Sequence, residues 1–261
     1  MAGFLRPKLR VAHRRFQTLT ARDVTDALAG RSTLVIAPHP DDETLGCGGT
    51  IAMQARSGAP IDVVVVSDGS RGTPVATAAP ESFASQRERE CIDACRHLGV
   101  PPERVHFLRL PDAELTAHVD AVRSGLREAI TASDVDVVIS PLAHDAHADH
   151  RIVASVVDEM LDVELAGRRV LAYPLWFWNR WAWTERERSP MRQRSDLVLG
   201  PARIAVSSNW RKVRIGDLVT IKRAALEAHA SQVEHVLDPQ WVEQFMHAEE
   251  LFLELSWSRR R

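Results

Sequence analysis

The stretch Pro38-His39-Pro40-Asp41-Asp42-Glu43 sets an imidazole among carboxylates directly behind a short apolar run, Thr33-Leu34-Val35-Ile36-Ala37. His39 and Asp42, three apart at a strand end, can both reach one divalent cation. The intervening Asp41 is then near enough to take a proton from water that the cation acidifies. A second cluster, His144-Asp145-Ala146-His147-Ala148-Asp149-His150, packs three imidazoles and two carboxylates into seven positions. A single histidine is usually a satisfied core or surface residue, but two such clusters at equivalent sheet edges read as a site for metal chemistry. The neighbouring Gly46, Gly48 and Gly49 do not complete G-x-G-x-x-G, and Asp41, Asp42 and Glu43 would repel a pyrophosphate, which argues against a bound dinucleotide.

The elements that must position these clusters alternate along the chain. A continuous apolar run at 33–37 and another at 61–66, broken only by Asp62, suit strands covered on both faces. Helical periodicity at 49–56 closes at Ser57-Gly58, and that at 82–98 stops at Gly99. The pattern continues with strands at 105–108 and 135–140 and helices at 117–132 and 149–165. This predicts an α/β fold, a doubly wound, mostly parallel (Rossmann-like) sheet flanked by helices. In such sheets the ligand crevice lies beyond the carboxyl ends of the strands, so chemistry should gather after Ala37, Val66, Leu108 and Ser140. Further on, 170–178 and 204–207 read as strands, 217–230 and 240–255 as helices, and 185–194 as a polar loop. With no Gly/Ser/Pro linker, residues 31–255 read as one domain, preceded by a basic arm at 1–30 and followed by a basic tail at 256–261.

Composition narrows the function. A chain of 261 residues with 45% hydrophobic content can bury a large core. Lys+Arg 33 against Asp+Glu 35 leaves no basic excess to hold nucleic acid. The charge is uneven, however: Arg6, Lys8, Arg10, Arg14, Arg15 and Arg22 all precede the first acid, Asp23, and Arg259, Arg260 and Arg261 close the chain. Such ends read first as a mobile solvated arm and second as a contact for anionic lipid head groups. No run of ~18 apolar residues spans a bilayer and no apolar signal core of ~7–15 opens the chain, so a cytoplasmic protein without a transmembrane segment is expected. Cys47, Cys91 and Cys95 fit reduced thiols.

With these motifs the chain resembles the LmbE-like, or PIG-L, family of zinc-dependent N-acetylglucosaminyl deacetylases, whose hallmarks are A-H-P-D-D-E and H-x-D-H. Here they read Ala37-Pro38-His39-Pro40-Asp41-Asp42-Glu43, with Pro38 inserted, and His147-Ala148-Asp149-His150. The resemblance implies one zinc ion per chain on His39, Asp42 and His150, with Asp41 as general base and His147, entering protonated, as general acid. Asp149 or Asp145 would orient His147 or a ligand imidazole. Arg87 and Asp112 would contact a small-molecule N-acetyl amino-sugar conjugate. Other family signposts are Ser67 to Gly72, Glu90, Leu98-Gly99, Leu110-Pro111, Lys222, Ala225 and His229 to Gln232, so the likeness runs from about Leu34 to Gln232.

Three ligands and an open position are what catalytic zinc needs, though the same donors suit iron(II) or cobalt. Arg87 sits in Arg87-Glu88-Arg89-Glu90, where charge pairing on a solvated helix explains it equally well, and His229 ends a helix, where a cation is favoured. Trp176, Phe177, Trp178, Trp181 and Trp183, with Arg180 among them, form a core, an interface or a sugar-stacking wall. The competing readings are an amidase for another N-acyl compound and a metal-binding scaffold without turnover. A homo-oligomer is compatible with either.

Overall fold

A computed structural model describes residues 2–72, 80–177, 207–234 and 236–255. Its frame is one eight-stranded sheet: β1 (Arg22–Asp23), β2 (Thr33–Ala37), β3 (Ile61–Ser67), β4 (Val105–Leu110), β5 (Val137–Pro141), β6 (Arg169–Tyr173), β7 (Trp210–Arg214) and β8 (Glu249–Leu255). The spatial order is β1-β7-β8-β6-β5-β2-β3-β4, and only β8 runs antiparallel to its neighbours. The helices are α1 (Ala2–Thr20), α2 (Thr25–Leu28), α3 (Asp42–Arg56), α4 (Pro80–His97), α5 (Val119–Ala132), α6 (Ala148–Met160), α7 (Val219–Ala228), α8 (Ala230–Val233) and α9 (Pro239–Val242).

The continuous apolar strands are covered on both faces. In β2, Val35 and Ala37 enter one core while Leu34 and Ile36 enter the other, and in β3 Val63 and Val65 oppose Val64 and Val66. The first core takes residues of α3, α4 and α7. The second takes Val122, Leu126 and Ile130 of α5 and Val153, Val156, Val157 and Met160 of α6. Each such buried side chain contributes roughly 1.5–3 kcal/mol. Strands β2, β3 and β4 step one way across the sheet and β5 lands on the far side of β2. The strand order therefore reverses between β2 and β5, which is where a crevice opens in sheets of this class.

Four sequence expectations change. Helix α3 begins at Asp42 rather than at 49, so Gly46, Gly48 and Gly49 lie inside it. A Cβ on Gly46 would sit 2.6 Å from the Tyr173 ring, so glycine is what lets the first turn of α3 meet β6. Residues 240–255, expected helical, yield only the short α9 and a 3-10 turn before strand β8, whose Leu251, Phe252 and Leu253 are buried in succession. Strand β7 was not anticipated, and β1, within the expected basic arm, pairs with it through Arg22↔Arg211 and Asp23↔Lys212. Ahead of it, residues 2–20, expected to be a mobile solvated arm, form a helix.

Lys222 also gains a place. Its Nζ donates to Glu250 Oε1 at 2.7 Å and to the Leu45 carbonyl at 2.9 Å, while Glu250 accepts from the backbone N–H groups of Gly49 and Thr50. This buried pair clamps α7 and β8 onto α3. The expected tail 256–261, the loop 185–194, all of the expected strand 204–207 but residue 207, and Trp178, Arg180, Trp181 and Trp183 lie outside the described residues. Among those described, no helix is long and apolar enough to cross a membrane.

Candidate metal centre and active site

The two motif clusters meet where the strand order reverses. His39 and Asp42 follow β2, and His150 lies in the first turn of α6, after β5. Asp42 Oδ2 is 3.1 Å from His39 Nδ1 and 3.1 Å from His150 Nε2, and it also accepts the His39 backbone N–H at 2.9 Å. All three residues are buried. A tetrahedral ion with bonds of ~2.0–2.1 Å holds its ligands roughly 3.3 Å apart, so the spacing of these donors suits a single small cation. His150 Nε2 makes no hydrogen bond of proper geometry although buried, which fits a nitrogen with an ion to face. His147 closes the group: one donor atom from each of His39, His147 and His150 lies within 4.8 Å of the others.

The remaining ring nitrogens of the two imidazoles face carboxylates. His150 Nδ1 is 3.2 Å from Asp145 Oδ2, which is itself fixed by the backbone N–H groups of Leu175 and Trp176. His39 Nε2 is 3.3 Å from both Asp112 Oδ1 and Asp149 Oδ2. Asp149 also accepts the Ala113 N–H and Asp112 the Arg71 N–H. Carboxylates behind metal-bound histidines fix the ring and raise its basicity. Asp149 and Asp145 thus face His39 and His150 rather than His147. Asp112, expected to meet substrate, is turned toward His39 while still lining the cavity.

Charge in this cluster follows from burial and proximity. Burial opposes protonation of His39 and His150, but the surrounding carboxylates outweigh it, pushing His39 well above the usual imidazole range and His150 up to about 9. Burial disfavours the Asp42 carboxylate, yet His150 and His39 hold its pKa far below normal. The field calls for positive charge between these donors, which a divalent cation supplies. His147 is the contrast: burial first, then the neighbouring imidazoles, bring it down to about 4, so its surroundings favour the neutral ring over the imidazolium expected. Its Nδ1 is buried without a partner and its ring meets His39 edge-on at 4.7 Å.

Asp41 stands at the N-terminus of α3 with φ +127°, a region that only glycine enters freely. Two groups hold it there. Glu43 Oε2 accepts the Asp41 N–H at 3.0 Å, and Arg87 Nη2 donates to Asp41 Oδ2 at 3.0 Å and to the Pro40 carbonyl, while Nη1 donates to the Gly69 carbonyl at 3.0 Å. Burial pushes the Asp41 carboxyl up to about 6, with Arg87 opposing. Arg87 is 3% exposed, which removes the solvated-helix explanation: of its charged run, Glu88 pairs with Arg109 at the surface, and Glu90 turns in to accept from Ser231.

The contact between Glu43 and His229 is what sequence reasoning missed, although both residues stood in stretches it named. Glu43 Oε1 accepts from Thr44 Oγ at 2.7 Å and from His229 Nε2 at 3.0 Å, and all three residues are fully buried. Adjacency to Asp42 was a visible signal for Glu43, but its partner lies 186 positions away. Above the cluster opens a cavity of about 530 Å³. Its polar lining includes Asp41, Arg71 and Asp112, and its apolar wall includes Trp176 stacked on Trp241 at 4.7 Å.

A doubly wound α/β sheet carrying His/carboxylate donors for one cation at its switch point defines a metal-site protein of hydrolase type. Comparison with known proteins is more specific. Residues 34–161 match the family described as PIG-L, GlcNAc-PI de-N-acetylase. The diacetylchitobiose deacetylase of Thermococcus kodakarensis is 32% identical over 213 residues, covering 77% of this chain and 70% of that protein. The 1D-myo-inositol 2-acetamido-2-deoxy-alpha-D-glucopyranoside deacetylase of Rhodococcus jostii is 29% identical over 252 residues, covering 79% and 83%. In structure, the N,N'-diacetylchitobiose deacetylase of Pyrococcus horikoshii superposes with a TM-score of 0.63 at 22% identity over 86% of this chain and 84% of the other, a likeness of fold. The chain belongs to the PIG-L family, whose members are metal-dependent deacetylases.

Proposed function

We propose that this protein is a zinc-dependent amide hydrolase that removes the N-acetyl group from an N-acetylglucosamine conjugate, with residues 22–255 as its catalytic domain. The observation that carries the metal assignment is the position of Asp42 Oδ2, 3.1 Å from both His39 Nδ1 and His150 Nε2. His39, Asp42 and His150 would hold the ion. A divalent ion there supplies Lewis acidity, acidifying water and polarising the acyl carbonyl. Two imidazoles and one carboxylate with an open position suit zinc.

The chain's own residues do the rest. Asp41, with a pKa near 6, is ionised at neutral pH and takes the proton of the attacking water. Arg87 and Glu43 fix its carboxylate and its backbone. His147 donates a ring N–H to the carbonyl oxygen as negative charge builds there, a role open to the neutral ring. The proton that Asp41 has collected then passes to the departing amine, which leaves poorly otherwise. Asp149 and Asp145 keep the ligand rings in register, and Asp112 and Arg71 offer polar contacts to sugar hydroxyls at the cavity wall. Cys47, Cys91 and Cys95 are all free and buried, which supports a reducing, cytoplasmic setting.

The test is acetate release from N-acetylglucosamine conjugates by the zinc-loaded protein, with bound metal measured alongside. Turnover that Asp41→Asn abolishes while zinc remains bound supports the assignment. Bound zinc without acetate release from any conjugate would move the function to another N-acyl amide or to a scaffold role.

A further inference from the structure

The loops that leave β3 and β4 beside the metal centre are joined by a carboxylate that lies outside the ligand set. The ladder between these two strands does not by itself fix how β4 ends. Val65 pairs with Phe107 but Ser67 with Leu110, so β4 carries one more residue than β3 over this stretch. Arg109, within it, has φ +53°, and Ala113, beyond the strand, has φ +60°. A bulge of this kind re-aims the chain, and residues other than glycine stay in the left-handed region only where their surroundings hold them.

Asp68 supplies that hold. Its N–H donates to the Leu110 carbonyl at 2.8 Å, continuing the pairing past the bulge. Its half-buried carboxylate spans both loops: Oδ1 accepts the Ser70 N–H at 2.9 Å and the Asp112 N–H at 3.3 Å. The next N–H, that of Ala113, goes to Asp149 Oδ2 at 2.9 Å. Two carboxylates thus take consecutive N–H groups of the turn that presents Asp112. The Asp112 side chain then reaches His39, with Oδ1 3.3 Å from Nε2, while its Oδ2 accepts the Arg71 N–H at 2.9 Å. Closing the turn on Ser70 keeps Arg71 within reach of Asp112, and accepting the Asp112 N–H fixes the backbone from which that side chain starts.

We infer that Asp68 is a positioning residue of the metal centre, holding Asp112 behind His39 and so setting how tightly the cation is bound. The inference rests on the assignment of the ion to His39, Asp42 and His150. A carboxylate behind a ligand imidazole is worth roughly 10–100-fold in metal affinity. Zinc affinity is a cleaner readout than rate here, because the same turn also offers the Gly69 carbonyl to Arg87. The test is zinc affinity of the full chain, by competition with a chromophoric chelator, for the parent, Asp68→Ala, Asp68→Asn, Asp112→Ala and the double alanine variant. Asp68→Ala should weaken binding roughly tenfold. Asp68→Asn, which keeps Oδ1 as an acceptor, should bind much as the parent does. The double variant should bind no more weakly than Asp112→Ala alone, since both changes remove one contact. Thermal melts of the zinc-free proteins report folding. Should Asp68→Ala not fold, Asp68→Ser takes its place: its hydroxyl can still close the turn on Ser70 but is too short for Asp112. Parent affinity in the Ala or Ser variant, equal loss in Asp68→Asn, or losses that multiply in the double variant would each overturn the inference. A parent chain that takes up no stoichiometric zinc would instead overturn the metal assignment beneath it.

Discussion

Replacing Glu43 separates a positioning role from a merely structural one. Its carboxylate accepts from three buried donors, the Asp41 N–H, the Thr44 hydroxyl and His229 Nε2. Glu43→Ala strands all three, and each buried group left without a partner costs about 1–3 kcal/mol, not additively. Asp41 also loses the contact that holds its backbone at φ +127°, and a displacement of about 1 Å at a catalytic group lowers rate by roughly 10²-fold. Glu43→Gln should recover much of this. Its amide oxygen can keep the Asp41 N–H, and its NH2 can donate to His229 Nε2 if the proton moves to Nδ1, which has no other partner. The expected order of kcat is parent, then Gln, then Ala, with KM and bound metal nearly constant. Nitrogen NMR of His229 should report the tautomer change in the Gln variant. Steady-state kinetics, metal analysis and denaturant unfolding decide the matter. If both variants lose stability but keep kcat, the pair merely fills the core and the positioning argument is wrong.

Three further outcomes follow from the same geometry. Asp42→Ala and His150→Ala should each abolish stoichiometric zinc binding by elemental analysis, whereas Asp41→Asn should keep the metal and lose roughly 10²–10⁴ in kcat. Arg87→Gln removes the cation that opposes the upward shift of Asp41, so the acid limb of kcat/KM should move to higher pH than in the parent; a limb that stays in place would detach Arg87 from the base. Lys222→Met takes away the cation that faces buried Glu250 while its hydrogen bonds from Gly49 and Thr50 remain, and breaking this buried pair should cost about 3–5 kcal/mol in denaturant unfolding.

What could be read in advance was whatever the chain keeps local. A strand buried on both faces announces itself as an apolar run, as in residues 33–37 and, broken only by Asp62, 61–66, and ligands placed three apart after such a run need no long-range knowledge. The antiparallel end of the sheet gives no such signal. Residues 249–255 combine two leading glutamates with consecutive apolar side chains, a composition that suits a helix as well as a strand. Only pairing with β6 and β7 decides between them. The helix start was misplaced for a related reason. Gly46, Gly48 and Gly49 weaken helix propensity, and their compatibility with α3 depends on Tyr173 and Ile215, far along the chain, lying where any Cβ would be.

The site divides along the same line, and the division explains why one residue type took several parts. The cation's donors and some of the groups that set their charge, Asp145 and Asp149, come from short motifs, but others arrive from elsewhere: Asp112 follows β4, and Arg87 from α4 and His229 from the end of α7 act on Asp41 and Glu43. Asp41 and Asp42 are neighbours, yet burial raises one toward neutrality while two imidazoles hold the other ionised. A base that must release its proton to an amine needs the first environment, and a metal ligand needs the second. The backbone turn at Asp41, which sends consecutive carboxylates to opposite partners, is what allows both within two residues. Glu43 and Arg87 act on that turn and on the carboxylate it presents, so the separation of the two roles depends on them as directly as on the carboxylates themselves.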